Sequence, residues 1–259
     1  MKIIVTAGGT SEPIDQVRAI SNHATGRLGS MIADEFLSHM QEDDQLYYLC
    51  GEHAVLPSQI SENLTVIQIG GTNELLEQVK SLLHENKIDV FVHSMAVSDF
   101  AVKQIAPLPA VADTLFQQKN RLVQMDSSKD FLRLMQEAIE ENRLCNDSKL
   151  SSATQNPIVT LEKTPKIIGE IKRISKNTKL VGFKLLCGVS KEELIDTAFQ
   201  LLVKNDCDYV FANDIKSIDG NSHDGYLIFQ DGSAVFLQGK RQIAQEIVKR
   251  IRNSMEANV

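Results

Sequence analysis

Several features that would place a chain in a specialised class are scarce or missing here. The 259 residues include 4 cysteines, Cys50, Cys145, Cys187 and Cys207, with no CxxC pair and no histidine at metal-ligand spacing. That excludes a disulfide scaffold and a zinc module, and it implies free thiols in a reducing, cytoplasmic compartment. No stretch approaches the roughly 18 apolar residues needed to cross a bilayer. The opening run, residues 1–7, is too short for the core of a signal peptide. With 14 glycines and 6 prolines, the chain is neither collagen-like nor of low complexity. Positive charge is outnumbered, 27 Lys and Arg against 34 Asp and Glu, for a net charge of −7. Nucleic-acid binding by phosphate neutralisation is therefore disfavoured. A local basic pocket for a small anion is still compatible with that balance.

What the chain does have is alternation. Residues 2–6 (KIIVT) are an apolar run that reads as a buried strand ending in the tight turn Ala7-Gly8-Gly9-Thr10. From Gly26, Leu28, Ile32, Phe36 and Met40 fall four apart, the spacing of a helix that buries one face. Strands are expected at 45–49, 64–69, 88–93, 179–183 and 208–212. Helices are expected from about 72, at 130–142, near Pro165, at 191–204 and at the C-terminus. Strands of this kind separated by helices imply an α/β fold: a Rossmann-like, mostly parallel sheet with helices on both faces. Residues 226–230 and 234–237 flank Asp231-Gly232, a hairpin signal, and the resulting antiparallel pair belongs at a sheet edge. The length is compatible with a single domain over 1–259. Residues 145–156 (CNDSKLSSATQN) are polar and aperiodic and read as a mobile flap.

In an open parallel sheet, ligands bind beyond the carboxyl ends of the strands, and four features fall there. The paired glycines of residues 6–10 permit a close backbone approach or simply a turn. Residues 21–30 (SNHATGRLGS) lead into a helix N-terminus, where exposed N–H groups and the dipole suit an anion. The same residues also fit a Thr25 N-cap with glycines as packing spacers. Asp99, and the Asn213-Asp214 pair after another strand, either hold a ligand or cap a turn. Lys149 in the polar loop is either a solvated charge or a cation that closes on a phosphate. No Ser/His/Asp set or paired carboxylates favour a hydrolase.

The block from Thr6 to Asn22 (TAGGTSEPIDQVRAISN), continuing through Thr25-Gly26-Arg27-Leu28-Gly29, closely resembles the start of phosphopantothenate–cysteine ligases. Residues 96–100 (AVSDF), 149–151 (KLS), 164–167 (TPKI), Gly182-Phe183 and 211–214 (FAND) resemble later family blocks in the same order. The resemblance covers the ligase half of the bifunctional form and implies a free-standing homodimeric enzyme. It implies that 4′-phosphopantothenate attacks a nucleoside triphosphate, CTP or ATP, with Mg²⁺, and that L-cysteine then takes the acyl group. Carried over by position, Asn22 and Lys149 are the catalytic pair. Gly9, Ser21, His23, Thr25, Gly26, Gly29, Ala96 and Asp99 hold the phosphorylated substrate together with Asn22. Asp99, Lys149, Pro165, Lys166, Ile167, Phe183, Lys184, Lys204 and Asn213 face the nucleotide. Leu201 and Asn205 stand where the family commonly has lysines, with Lys204 as the nearest cation, and Lys184 is expected to supply the missing charge. Two competing readings are a short-chain oxidoreductase and a non-catalytic phosphopantothenate sensor. The first requires Tyr-x-x-x-Lys, and none of the four tyrosines has a lysine four residues on.

Overall fold

The computed structural model describes residues 1–144, 150–219 and 222–256. In chain order the elements begin with β1 (Lys2–Ala7), β2 (Ser11–Pro13), β3 (Ala19–Ser21), α1 (Arg27–Leu37), β4 (Gln45–Gly51), β5 (Leu64–Ile69) and α2 (Thr72–Glu85). They continue as β6 (Val90–His93), β7 (Phe100–Pro107), α3 (Leu108–Gln117), α4 (Lys119–Val123), α5 (Ser128–Glu141), β8 (Pro157–Lys163) and α6 (Ile167–Ile174). After β9 (Lys179–Leu186), α7 (Lys191–Asn205) and β10 (Tyr209–Asp214) comes the short pair β11 (Ile218–Asp219) and β12 (Ser222–His223). The chain ends with β13 (Gly225–Phe229), β14 (Ala234–Leu237) and α8 (Gly239–Glu256).

Two compact units divide these elements. The first comprises Met1–Thr10, Asn22–Val97 and Pro165–Val259, and the second Ser11–Ser21 and Ser98–Thr164. In the first unit, eight strands form one sheet in the order β14-β13-β10-β9-β6-β1-β4-β5. Neighbours from β10 to β5 run parallel, and β13 and β14 join antiparallel at the edge, as the Asp231-Gly232 turn implies. The α/β, mostly parallel architecture matches the expectation.

Both sheet faces are covered, which explains the continuous apolar runs in the central strands. Ile3, Val5 and Ala7 of β1 pack with Ile32 and Phe36 of α1 and with Ile243, Ile247 and Ile251 of α8. The alternate residue Ile4 points the other way, into a layer with Leu75 and Val79 of α2, Ile171 of α6 and Leu202 of α7. Each such side chain, fully buried, contributes roughly 1.5–3 kcal/mol. Helix α7 starts with a capping arrangement, the Ser190 hydroxyl accepting the Glu193 N–H at 3.1 Å. At the amino-terminal ends of β9 and β10, Asp208 joins the starts of the two strands. It takes the Leu180 N–H at 2.8 Å and pairs with Lys172 at 3.1 Å and Lys179 at 2.9 Å.

The second unit is an antiparallel ribbon, β7 with β8, bearing α3 and α5 on a small core of Ala106, Val111, Ala138 and Ile139. A bulge interrupts its register between Val102 and Gln104. The β2–β3 pair carries the buried Asp15, which receives the backbone N–H groups of Val17, Arg18 and Leu150 at 2.8–2.9 Å. The Arg18 guanidinium clamps the same carboxylate and also donates to the Leu150 carbonyl at 3.0 Å. Arg18 first, and then the Leu150 N–H, hold the Asp15 carboxyl far below the usual range. None of the described helices is long and apolar enough to cross a membrane.

Candidate functional site

The chain order reverses between β1 and β6: β4 and β5 extend the sheet on one side of β1, and β6, β9 and β10 extend it on the other. Such a switch point leaves a crevice where the loops after the two strands diverge. Residues 8–10 leave β1 there and residues 94–97 leave β6. They meet through a parallel bridge between Gly9 and Ala96. The Ala96 N–H donates to the Gly8 carbonyl at 2.8 Å, and the Ala96 carbonyl accepts the Thr10 N–H at 3.1 Å.

Asn22 joins this crossing. Its N–H donates to the Thr10 carbonyl at 3.3 Å, and its side-chain Nδ2 donates to the Ala96 carbonyl at 2.9 Å. A Cβ added to Gly9 would lie 2.6 Å from the Asn22 carbonyl oxygen, so only glycine allows Asn22 to come this near. Two family blocks 74 residues apart in sequence thus close on one exposed amide.

Helix α1 begins just after Asn22. Its N-cap is Gly26, in the left-handed region at φ 71°, and not Thr25. The Thr25 hydroxyl is 3.4 Å from the Arg27 N–H, and the Thr25 carbonyl accepts the Val55 N–H at 2.9 Å. Gly29 is buried against the sheet, where a Cβ would approach Ala7 Cβ to 2.6 Å. Its lack of a side chain thus serves the contact between helix and strand. His23 and Thr25 are exposed beside this helix start.

The nucleotide candidates divide between the two sheet faces. Phe183 on β9 pairs with Phe211 on β10, ring centroids 5.7 Å apart, and Asn213 follows two residues later on the same side. Asn213 is 5% exposed, and its Nδ2 has no hydrogen-bond partner among the described residues. Half-buried Lys184 alternates to the opposite face, that of α6 and α7. Pro165 is half-buried and Lys166 is the N-cap of α6, while Ile167, 2% exposed, belongs to the core. Lys204 lies in the last turn of α7, which leads back to the start of β10 and away from the carboxyl ends. Asp214 takes the N–H groups of Lys216 and Val189 at 2.8 and 2.9 Å, so it caps the following turn. Those bonds lower its pKa.

Ser21 and Asp99 belong to the second unit. The Ser21 hydroxyl bonds that of Ser11 at 2.6 Å, and the Asp99 carbonyl accepts the Thr164 N–H at 3.1 Å. Lys149 and the rest of 145–149 lie outside the described residues. Among the described residues, no three His, Cys, Asp or Glu side chains gather as a metal-holding group.

Sequence reading passed over His93, the last residue of β6. It is 9% exposed, its Nδ1 lies 3.0 Å from the Thr6 hydroxyl, and burial pushes its pKa down to about 4. The available signal was a polar residue ending an otherwise apolar strand. The Asp15–Arg18 clamp was missed as well, although both residues stand inside the first block.

Residues 1–145 and 141–255 match the family described as DNA/pantothenate metabolism flavoprotein C-terminal domain. The chain belongs to this family. Among relatives, the coenzyme A biosynthesis bifunctional protein CoaBC of Thermococcus kodakarensis is 29% identical over 98% of this chain and 51% of its own length. The chain thus spans about half the length of the curated relatives it matches. The DNA/pantothenate metabolism flavoprotein of Streptococcus pneumoniae is 30% identical, with a TM-score of 0.78, covering 98% of this chain and 99% of that one. A Cab2 variant in complex with phosphopantothenate-cysteine shares the fold, with a TM-score of 0.66 at 16% identity, over 99% of this chain and 88% of that one.

Proposed function

We propose that the chain is a phosphopantothenate–cysteine ligase of coenzyme A biosynthesis. A carboxylate oxygen of 4′-phosphopantothenate attacks the α-phosphorus of CTP, or of ATP, and pyrophosphate leaves. The amine of L-cysteine then attacks the acyl carbon of the acyl-nucleotide. The amide forms, the nucleoside monophosphate departs and the amine gives up a proton. Bound to the triphosphate, Mg²⁺ would supply neutralisation of part of its charge.

Asn22 carries this reading, because its amide is pinned to the Ala96 carbonyl where the two diverging loops cross. A donor held there is preorganised for the substrate carboxylate and for the acyl-nucleotide that replaces it. Gly26 and the first residues of α1 donate their N–H groups to the substrate phosphate. The Asn213 Nδ2, without a partner among the described residues, and the Phe183 ring offer a polar and an apolar contact to the nucleotide. As the resemblance implies, Lys149 screens the phosphate charge and Lys184 adds positive charge for the nucleotide. Two copies of the chain form the working enzyme.

The deciding experiment supplies phosphopantothenate, cysteine and Mg²⁺ with CTP or with ATP and measures pyrophosphate and the amide product. Pyrophosphate release that requires phosphopantothenate supports the ligase. Binding without turnover returns the sensor reading. Lys149→Gln is expected to lower turnover, and Lys184→Ala to raise the nucleotide KM.

A further inference from the structure

Thr6 and His93 form a polar pair inside strands that are otherwise apolar. Thr6 is wholly buried, and Val90, Phe91 and Val92, which precede His93, are buried hydrophobics. Burying two polar side chains in such a place costs free energy unless they satisfy each other. The Thr6 hydroxyl lies 3.0 Å from His93 Nδ1 and accepts the Met95 N–H at 3.2 Å. The Thr6 carbonyl accepts the Ser94 hydroxyl at 2.5 Å. Three successive residues leaving β6 are therefore tied to one threonine of β1. The next residue is Ala96, whose carbonyl receives Thr10 and the Asn22 amide.

Proton counting gives the pair a direction. A hydroxyl has one hydrogen and two lone pairs, and a neutral imidazole has one N–H and one bare nitrogen. Met95 uses a lone pair of the Thr6 oxygen, and burial keeps His93 neutral. Among the described residues Nδ1 is the acceptor within reach of the Thr6 hydrogen, so Thr6 donates to a bare Nδ1 and the His93 hydrogen resides on Nε2. The β-branched threonine adds a stiff χ1 to this geometry.

We propose that Thr6 and His93 are positioning residues for Asn22. The Thr6 hydroxyl donates to Nδ1 of His93, and its oxygen thereby fixes the Met95 N–H and the Ala96 carbonyl that orients the Asn22 amide. This inference rests on the role given to Asn22 above. It assigns to two residues of the sheet interior a task in the ligase reaction that neither performs by touching substrate.

The test is a double-mutant cycle read by pyrophosphate release in the full chain. Thr6→Val, nearly isosteric, is expected to lower kcat roughly 10- to 100-fold, since small displacements of a catalytic group cost that much. The KM for phosphopantothenate is expected to stay within about threefold, and Thr6→Ser to restore most of the rate. In an Asn22→Ala background, Thr6→Val is expected to cost nothing more. Losses that multiply across the cycle overturn the inference while leaving the ligase reading intact. An inactive parent chain overturns both, whereas an Asn22→Ala variant with full turnover overturns the inference and the role of Asn22 but not the ligase reading. Nitrogen-15 NMR of the unsubstituted chain is expected to show His93 as the Nε2–H tautomer at pH 7. The Nδ1–H tautomer overturns the inference whether or not the variants fold.

Discussion

The side-chain amide of Asn22 donates to the backbone carbonyl of Ala96 at 2.9 Å, joining residues 74 apart. An NH₂ group suits this contact, because a carbonyl oxygen can only accept. Asn22→Asp replaces the donor with an acceptor and sets a second negative charge beside the substrate carboxylate. Turnover is expected to fall by about 10²–10³-fold, the usual loss for a preorganised donor. Single-turnover measurement of acyl-nucleotide formation checks it, and a rate within a few-fold of the parent contradicts the role.

The Asp15 clamp gives a pH-dependent stability. Its folded pKa lies below the unfolded value of about 3.9, so its contribution is fully present above that pH and declines on acidification. Asp15→Asn is expected to lower Tm at pH 7, with the gap to the parent shrinking steadily below about pH 4. Thermal melts across pH 3–8 check this. A gap of constant size down to pH 3 contradicts the carboxylate's part in it.

Gly29→Ala tests the contact between α1 and the sheet. Helix propensity alone favours alanine by up to about 1 kcal/mol. Against that, the new Cβ would meet Ala7 Cβ at 2.6 Å and Ser94 Oγ at 2.7 Å. Overpacking of this kind costs about 1–3 kcal/mol, so net destabilisation is expected, with a Tm lower by a few degrees. Calorimetry checks the sign, and a raised Tm shows that the helix shifts without strain.

Asp208 is the shared partner of two lysines and a strand N–H. Asp208→Ala leaves both cations unpaired in a partly buried place. The expected loss is on the order of 3 kcal/mol in urea unfolding, with kcat unchanged because the cluster sits at the amino-terminal ends of β9 and β10, away from the carboxyl ends. Lost turnover at full folding contradicts that separation.

The first unit was readable in the sequence to a large extent. Central strands such as β1 are buried on both faces and appear as unbroken apolar runs, and α1 shows its buried stripe at Leu28, Ile32 and Phe36. Of the second unit only α5 was read, from the helical period at 130–142, and the unit's strands were not. Strands β7 and β8 pair residues at least 50 apart in sequence, so no tight turn announces them, and Phe100, Val159 and Leu161 are exposed. The β2–β3 pair is three residues long on each side, too short for a period to register. The Thr25 cap failed for a related reason. N-cap chemistry favours a hydroxyl, but the left-handed turn at residue 26 accepts glycine in its place.

Composition and periodicity determined the layered α/β class and the strand ends at which chemistry is placed, because burial on two faces imposes its own residue pattern. The motif blocks determined the family. Which blocks meet was decided only by tertiary structure. The strand order that brings Gly9 to Ala96, and the choice of Thr6 to hold His93, come from pairing between distant segments, and no local pattern encodes that pairing.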